Sequence, residues 1–408
     1  MAHVLWTNLS SMMKPVSKLF FFACLLAFGA FPKAGKAQLT AQFLGRYSTG
    51  YYDKAASEIA AYDPASKRMF VINGPDTSLR IVDISNPANP VQTAFISIKP
   101  YGIDLTSVAC KNGLVATAVI DSNGKTNPSS IVFFDVNGNF INKVKAGPNA
   151  DMLTFTPDGK KVLVANEGEP NVGYTIDPEG SVSIIDISNG VASLSQAQVS
   201  HATFTAFNNA VLDKSIRIFG RIQSGGNFLR YSTVAEDLEP EYITISPDNK
   251  TAWATCQENN CIAEISIDSA VVRRLIPLGF KNHNLPGNGL DASDNGSTIN
   301  IANYPLFGIY NPDAIAYSNG FLFTANEGDA RADWGAANVE EIRFGNSAYV
   351  LDTTKFGGAA AVAALKANSA LGRLTVSNRF GDFDNDGKMD SAFCFGGRSF
   401  SVWNATTG

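Results

Sequence analysis

Residues 151–169, DMLTFTPDGKKVLVANEGE, carry a pattern that the rest of the chain repeats. β-Branched and aromatic residues lie on both sides of a Pro-Asp-Gly turn, which is typical of two strands joined in a hairpin. Each copy begins with an acidic residue and has an aromatic or β-branched residue four positions later. The copies begin at Glu58, Asp104, Asp151, Glu241 and Asp313. The sequence therefore predicts a fold built from one repeated hairpin.

Two further short strand patterns follow most copies of the hairpin. After the first copy they are SLRIVDIS (78–85) and PVQTAFISI (90–98), and the fourth strand of the third copy is predicted at LSQAQV (194–199). Four strands in about 45 residues are typical of β-propeller blades, which bury both faces of each sheet by stacking radially. We therefore expect an all-β propeller with six visible repeats, interpreted as a truncated seven-bladed ring. Residues 359–366 are the one short helical candidate.

Predicted strands near both ends of the chain could close such a ring. Residues 41–50, AQFLGRYSTG, are predicted as a strand that joins the last blade and hides its edge. Residues 389–397 and 399–408 are predicted as the second and third strands of an incomplete sixth repeat. Two interpretations stay open: the N-terminal strand completes this last blade, or the chain is a piece of a longer protein. We favour the second.

The first 37 residues have the features of a secretory signal peptide. Lys14 and Lys18 precede an apolar run at 19–31, and small residues up to Ala37 offer a cleavage site before Gln38. The run is too short to cross a bilayer, which takes about 20 apolar residues. We therefore predict a signal peptide at 1–37 and a propeller at 38–408, with no transmembrane segment. The protein is expected to be secreted, whether extracellular, periplasmic or at the cell surface.

Removal of the signal peptide makes the chain more acidic. The full chain has a net charge of −5, and residues 1–37 contain four lysines and no acidic residue, so residues 38–408 carry −9. An acidic chain argues against nucleic acid as a partner and favours divalent cations. Plain solubility is the alternative explanation.

The sharpest local motif is GDFDNDGKMD at 381–390. Alternating aspartates ahead of Gly387 can bring several carboxylates and a backbone carbonyl to one point, and calcium takes six to eight such hard oxygens. The spacing matches the start of an EF-hand loop, but Phe393 stands where the final glutamate would be. The predicted calcium ligands are Asp382, Asp384, Asp386, Lys388 and Asp390. An aspartate-rich turn that only solvates the loop is the alternative.

The acid at the start of each hairpin is a second, weaker metal candidate. The innermost strand of each blade lines the central channel of a propeller, so equivalent residues form a ring. Carboxylates in a ring repel one another unless cations join them. The ring would consist of Glu58, Asp104, Asp151, Glu241 and Asp313. The alternative is that these acids stand separately at strand starts and face water.

The ends of the second strands supply further polar residues. They are Asn73, Asn166, Glu167, Gln257, Asn326 and Glu327. Acids follow both Asn-Glu-Gly copies, and a cluster of Glu, Asp and Arg on one propeller face could bind metal and phosphate together. The candidate catalytic residues are Glu167, Glu241, Glu327, Asp329 and Arg331. Alternatively, the Asn and Gly residues serve turn geometry alone.

Cysteine and histidine usage limits other chemistries. Cys256 and Cys261 stand at the two ends of a turn between strands, so a local disulfide is one of two open outcomes. Only His201 and His283 follow residue 37, which weakens the case for a His-ligated zinc or a Ser-His-Asp triad. We expect His283 to be an exposed loop residue, an acid or base being the alternative. Ser293 has no evident activating base.

Several long motifs resemble the choice-of-anchor I family and occur in the expected order. They are LVANEGEP (163–170), AEDLEPEYITISPD (235–248), KNHNLPGNGLDASD (281–294), NPDAIAY (311–317), TANEGDARADW (324–334) and GDFDNDGKMDSAFCFGGRSFSVW (381–403). This family is similar to mesenchyme-specific cell-surface glycoproteins linked to biomineralisation. The resemblance implies a secreted or surface-attached propeller of YVTN-like type. Many bacterial members are labelled alkaline phosphatases.

Two functional hypotheses follow. The first is a non-enzymatic, calcium-binding protein that acts outside the cell in adhesion or in binding matrix or mineral. The second is a calcium-dependent phosphoesterase, alkaline phosphatase-like or phytase-like, that acts on phosphate esters at the channel mouth. The second hypothesis needs the Asn-Glu-Gly acids and the hairpin acids within about 10 Å of one another, so that they can share a metal. The sequence leaves open whether the protein is an enzyme.

Overall fold

The computed structural model describes residues 40–54, 56–296, 298–332 and 339–408. The predicted signal peptide at 1–37 lies outside them. Residues 40–44 are exposed and have no regular secondary structure. Gly45–Gly408 forms a compact unit, and every strand described below belongs to it.

The first three repeats are four-stranded antiparallel sheets in which each strand pairs with the next along the chain. The first sheet contains β1 (Ala56–Asp63), β2 (Arg68–Asn73), β3 (Ser78–Asp83) and β4 (Val91–Ser97). The second contains β5 (Asp104–Lys111), β6 (Leu114–Ile120), β7 (Pro128–Asp135) and β8 (Phe140–Pro148). The third contains β9 (Ala150–Phe155), β10 (Lys161–Asn166), β11 (Ser181–Asp186) and β12 (Val199–Thr203).

An insertion separates the third and fourth sheets. It contains the hairpin of β13 (Arg221–Ser224) and β14 (Asn227–Tyr231) and the short helix α1 (Val234–Asp237). Thr233 caps α1, since its hydroxyl accepts a hydrogen bond from the Glu236 N–H while the Glu236 side chain accepts one from the Thr233 N–H. The fourth sheet follows with β15 (Pro240–Ile245), β16 (Thr251–Cys256), β17 (Cys261–Ser266) and β18 (Val271–Pro277).

The remaining chain forms the fifth repeat and a separate insertion sheet. In chain order the elements are β19 (Phe280–Asn282), β20 (Leu290–Asp291), β21 (Ile301–Ala302), β22 (Phe307–Ile309), β23 (Pro312–Ser318), β24 (Phe321–Asn326), β25 (Glu341–Arg343), α2 (Ala359–Leu365), β26 (Thr375–Ser377), β27 (Phe393–Phe395) and β28 (Ser399–Asn404). The insertion sheet has the order β19-β22-β27-β26-β25, and β22 and β27 pair in parallel. Helix α2 confirms the predicted helical candidate.

The end of the chain supplies the third strand of the fifth repeat rather than forming a sixth. β24 pairs with β23 on one side and with β28 on the other, where Asn326 lies opposite Ser399. The prediction of a sixth repeat is therefore wrong, because β28 is the third strand of the fifth repeat and β27 lies in the insertion sheet. A long insertion between paired strands is tolerated because the entropy of loop closure grows slowly with loop length.

Two smaller strand predictions are also wrong. Residues 41–50 form no strand. Instead, the Tyr47 hydroxyl donates to Gln92 Oε1 on β4 at 2.5 Å, so this segment contacts the first sheet. The fourth strand of the third repeat is β12 rather than 194–199, because Ser195 caps a 3-10 turn at Gln196–Gln198 in that place.

The apolar core lies between successive sheets. Phe133 and Leu153 pack together between the second and third sheets, and Leu163 and Ile265 between the third and fourth. The first strands of the five repeats, β1, β5, β9, β15 and β23, lie next to one another in that order. Each fully buried Leu, Ile or Phe contributes about 1.5–3 kcal/mol. The structure is thus all-β, with four four-stranded sheets and the three-stranded fifth repeat stacked side by side as in a propeller.

Candidate functional site

Residues 381–390, called the aspartate loop below, bring three carboxylates together. Oxygens of Asp382, Asp384 and Asp390 lie within 4.8 Å of one another. The Asp386 N–H donates to Asp382 Oδ1 at 3.2 Å and to Asp384 Oδ1 at 3.1 Å, and the Phe383 N–H donates to Asp390 Oδ2 at 2.9 Å. The loop's own amides therefore orient the three carboxylates, and this hard-oxygen donor set fits calcium.

The remaining aspartate of the loop, Asp386, pairs with a lysine instead of joining these three carboxylates. The Asp386 carboxylate accepts from the Lys388 N–H at 2.8 Å and pairs with Lys388 Nζ at 2.8 Å. The Asp390 N–H closes the loop by donating to the Gly381 carbonyl at 2.7 Å. Of the predicted calcium ligands, the structure groups three carboxylates and pairs the fourth with a lysine of the same loop.

Three of the five hairpin acids interact with one another at the start of the first strands of their repeats. Burial, followed by repulsion from Asp313, raises the pKa of Asp151 to about 7. Burial also raises the pKa of Glu241 well above its usual range, with added repulsion from Asp151 and Asp313. Glu58 and Asp104 are exposed on β1 and β5. The grouping is thus found for three of the five acids.

The asparagines at the ends of the second strands hold neighbouring strands. Asn166 Nδ2 donates to Ser183 Oγ at 2.7 Å, and Asn326 Nδ2 donates to Ser401 Oγ at 2.8 Å. Asn73 is fully buried and donates to Asp76 at 2.5 Å. Asn166 and Asn326 thus tie the second strand of a repeat to the third, while Asn73 contacts the turn that follows β2.

The residues that follow these strand ends contact one another across the repeats. Gln257 Nε2 donates to Glu327 Oε2 at 3.3 Å. The Asn149 amide donates to Glu167 and, at 3.1 Å, to Glu169 Oε2. The acids of the Asn-Glu-Gly copies therefore lie at the same end of the sheets as the hairpin acids.

Together these groups form the inner acidic cluster, in which each carboxylate interacts electrostatically with at least one other. Its members are Asp151, Glu167, Glu169, Glu239, Glu241, Glu258, Asp313, Glu327 and Asp329. Sequence reasoning missed Glu239 and Glu258. A signal was present for both, since Glu239 precedes β15 as Asn149 precedes β9, and Glu258 follows Gln257.

The carboxyl groups of the inner acidic cluster hold protons more strongly than isolated carboxyl groups do. Burial raises the pKa of Glu167, Glu239, Glu241 and Glu258, and repulsion between the carboxylates adds to the effect of burial. The carboxylates of the cluster are spread more widely than those of the aspartate loop. Within the described ranges, three carboxylates converge within 4.8 Å in the aspartate loop alone.

Arg331, a candidate phosphate ligand, is committed to buried ion pairs. It is 2% exposed and pairs with Asp237 and, at 3.1 Å, with Glu239 Oε2. Its guanidinium carbon lies 4.4 Å from the centre of the Phe219 ring, and that of Arg217 lies 4.5 Å from the same ring. Arg331 thus ties the segment before β15 to the insertion that follows β24. On the other side of the cluster, Lys125 pairs with Glu169.

The remaining sequence-based candidates have structural partners. His283 is fully buried and its Nδ1 lies 2.6 Å from the Asn288 carbonyl, so the expectation of an exposed histidine is wrong. Ser293 Oγ donates to the Asn368 carbonyl at 2.5 Å. Cys256 and Cys261 lie opposite each other on β16 and β17 but are free thiols, so the local disulfide does not form. Both are fully buried, where a thiol packs as a small apolar group.

The fold and these sites define an all-β protein of stacked four-stranded sheets with acidic clusters at a surface loop and at the inner strands. The chain belongs to the choice-of-anchor I domain family, whose model matches residues 58–408. Membership of this family indicates a surface-associated or extracellular protein. Within the part of the chain that the structure describes, no helix is both long and apolar enough to span a membrane.

Comparison with solved structures gives distant similarities. Hydrazine synthase of Kuenenia stuttgartiensis is 13% identical, with a TM-score of 0.33 over 66% of this chain and 80% of that chain. A protein of unknown function from Bacteroides caccae is 12% identical, with a TM-score of 0.34 over 66% and 69%. A functionally unknown protein from Desulfotomaculum acetoxidans is 11% identical, with a TM-score of 0.39 over 66% and 62%. A search of curated proteins found no match. None of these proteins' activities is transferred to this chain.

Proposed function

We propose that this chain is a calcium-binding protein of the cell surface or extracellular space and that the aspartate loop binds the ion. The observation that carries the proposal is the placement of Asp382, Asp384 and Asp390 oxygens within 4.8 Å of one another. Gly387 has a φ of 85°, which lets the chain turn sharply behind the three carboxylates at low cost. The loop offers the hard oxygens that calcium prefers.

An exposed calcium ion suits a role in adhesion or in binding matrix or mineral. Calcium takes six to eight ligands, so three loop carboxylates leave positions for water or for an anionic group of a partner. Asp384 and Lys388 are exposed, which keeps the loop accessible. The bound ion would link the acidic protein to an anionic partner that it would otherwise repel.

The proposal extends to architecture and secretion. The five repeats are blades arranged around a central channel, which is supported by the contacts between successive first strands. The seven-bladed count stays a prediction. Residues 1–37 direct secretion and are removed, so N-terminal sequencing of the secreted protein should begin at Gln38. A first residue within 1–30 would contradict this cleavage.

Calorimetric titration with calcium tests the main proposal. The matched variant is Asp382→Asn, Asp384→Asn and Asp390→Asn together, which we call the loop variant. It keeps nearly the same side-chain volume but loses the ligand charges. The wild type should bind at least one more calcium ion than the loop variant does. Equal stoichiometry and affinity in the two proteins would contradict the proposal, provided that circular dichroism shows both to be folded.

A second candidate function, a calcium-dependent phosphoesterase, is favoured by the inner acidic cluster. Glu167, Glu241, Glu327 and Asp329, which sequence analysis selected as catalytic candidates, all belong to that cluster. A bound divalent ion there would supply Lewis-acid activation of water and phosphate. The carboxylates would hold and orient the ion, while Arg331 would keep Glu239 in place through their ion pair.

Phosphate release tests the second candidate. Purified protein would be assayed on a panel of phosphate esters in calcium and again in EDTA, beside a Glu167→Ala, Glu327→Ala double variant. Calcium-dependent turnover that is lost in the folded variant would support the phosphoesterase. Absence of turnover from folded, calcium-loaded protein would contradict it and would leave the calcium-binding proposal intact.

A further inference from the structure

The carboxylate of Glu258 is buried without a partner for one of its oxygens. Glu258 is 6% exposed, and its Oε2 has no hydrogen-bond partner among the residues that the structure describes. The Glu239 side chain is fully buried, and its Oε1 likewise has no hydrogen-bond partner among the described residues. An ionised carboxylate away from water is costly unless it is paired or coordinates a metal. The Glu258 carboxyl group is therefore either protonated or balanced by a cation.

Glu258 interacts electrostatically with Arg331 and with a larger number of acids. The charge of Glu258 adds to the effect of burial in raising the pKa of four other carboxyl groups. These are Asp151 on β9, Glu167 after β10, Glu239 before β15 and Glu241 on β15. Glu258 thus interacts with acids from both the third and the fourth repeat.

The basic side chains nearby are bound elsewhere. Lys125 pairs with Glu169, and Arg331 pairs with Asp237 and Glu239. Arg217 Nη1 donates to the backbone carbonyl of Glu258 at 2.9 Å, and the same guanidinium pairs with Glu340. None of these contacts reaches Glu258 Oε2. Arg331 offsets part of the charge of Glu258, and the excess of acids over bases in the cluster leaves negative charge for a mobile cation to balance.

We propose that a divalent cation binds in the inner acidic cluster, with Glu258 and Glu241 as ligands, at a site separate from the aspartate loop. All available donors are carboxylate or amide oxygens, which select calcium, magnesium or manganese over zinc or copper. Because the cluster is wider than the aspartate loop, water completes the coordination shell. The phosphoesterase, the second candidate function, requires a metal in the inner acidic cluster. Metal binding in this cluster does not depend on calcium binding by the aspartate loop.

The experiment uses the loop variant, in which the surface site is already disabled. Calcium or manganese would be titrated while the melting temperature and the calorimetric stoichiometry are followed. Calcium should still bind to the loop variant and raise its melting temperature by several degrees, since binding at 100 times Kd adds about 2.7 kcal/mol to stability. Adding Glu258→Gln should abolish both effects. It should also raise the melting temperature of the metal-free protein at pH 8, because one repelling charge is removed.

The matched control is Glu264→Gln in the same loop variant. Glu264 lies on β17 and pairs with Arg274 at 2.8 Å, so the calcium response should survive this change. If Glu258→Gln does not fold, Glu241→Gln takes its place in the same comparison.

The outcomes separate this site from the aspartate loop. Loss of all calcium binding in the loop variant, or a calcium response that survives both Glu258→Gln and Glu241→Gln, would overturn the inner site and leave protons to balance the cluster. If the wild type and the loop variant bind calcium equally and Glu258→Gln abolishes the response of both, the inner site is supported and the proposed surface site is contradicted.

Discussion

Asn326 Nδ2 lies 2.8 Å from Ser401 Oγ and joins two strands that are 75 positions apart in the sequence. Asn166 makes the same contact with Ser183 at 2.7 Å in the third repeat. In both repeats an asparagine that ends the second strand donates to a Ser-x-Ser pair on the third. The equivalence identifies β28 as the third strand of the fifth repeat.

Replacing Asn326 by alanine should destabilise the fold through this contact. Asn326→Ala removes a buried amide that donates to Ser399 and Ser401, and we expect a loss of about 1–3 kcal/mol in the free energy of unfolding. Asn166→Ala should have a similar effect. Urea denaturation would measure both. Asn189→Ala, in an exposed turn, is the control and should change stability by less than about 0.5 kcal/mol. Equal stability of the Asn326 and Asn189 variants would mean that this contact does not hold β28.

Local patterns allowed most of the repeats to be predicted from sequence, and the long-range pairing of β28 was the main failure. The hairpins and their third strands follow one another directly, so alternation and turn residues are sufficient to find them. The fifth repeat has its third strand beyond a long insertion, where adjacency gives no guide. The shared Ser-x-Ser of Ser181–Ser183 and Ser399–Ser401 was the signal available for it.

The same distinction applies to the two candidate sites. The aspartate loop is one continuous segment, so its spacing alone indicated that carboxylates meet there, although not that Asp386 pairs with Lys388. The inner acidic cluster combines residues of the third, fourth and fifth repeats. The repeat pattern brought Asp151 and Glu241 to attention, whereas the burial of Glu258 depends on how the sheets pack and has no local signature.

Arg331 should be one of the most sensitive charged positions in the protein. Arg331→Met leaves the buried carboxylates of Asp237 and Glu239 without this cation, and breaking such a pair costs about 3–5 kcal/mol. Arg230→Met is the matched control, because Arg230 pairs with Glu236 at the surface and should cost about 1 kcal/mol or less. Urea denaturation at pH 7.5 would compare the two. Similar losses in both variants would show that the buried pairs contribute no more than the exposed one.

Metal-free stability should depend on pH through Asp151. Its pKa rises from an ordinary value of 3.8 to about 7 in the folded state, so the folded protein holds this proton more tightly than the unfolded chain does. The resulting stabilisation is complete below the unfolded pKa and is lost as the pH rises through about 7. In EDTA, the melting temperature of the wild type should therefore fall relative to that of Asp151→Asn between pH 5 and pH 8. Asp83→Asn is the control, because hydrogen bonds from Ser85 lower the pKa of Asp83 and it stays ionised throughout this range. Parallel pH profiles for wild type and Asp151→Asn would contradict the prediction.

The loop geometry distinguishes two neighbouring aspartates that the sequence motif treats alike. A carboxylate oxygen of Asp384 lies within 4.8 Å of oxygens of Asp382 and Asp390. Asp384→Asn should therefore weaken calcium binding at this loop at least tenfold. Asp386 is paired with Lys388, and Asp386→Asn should change the affinity by less than about threefold, because its charge is already balanced by that lysine. Calorimetry in the Glu258→Gln background would report the loop site without a contribution from the inner acidic cluster. A larger loss for Asp386→Asn than for Asp384→Asn would mean that calcium reorganises the loop into the full alternating pattern and draws Asp386 away from Lys388.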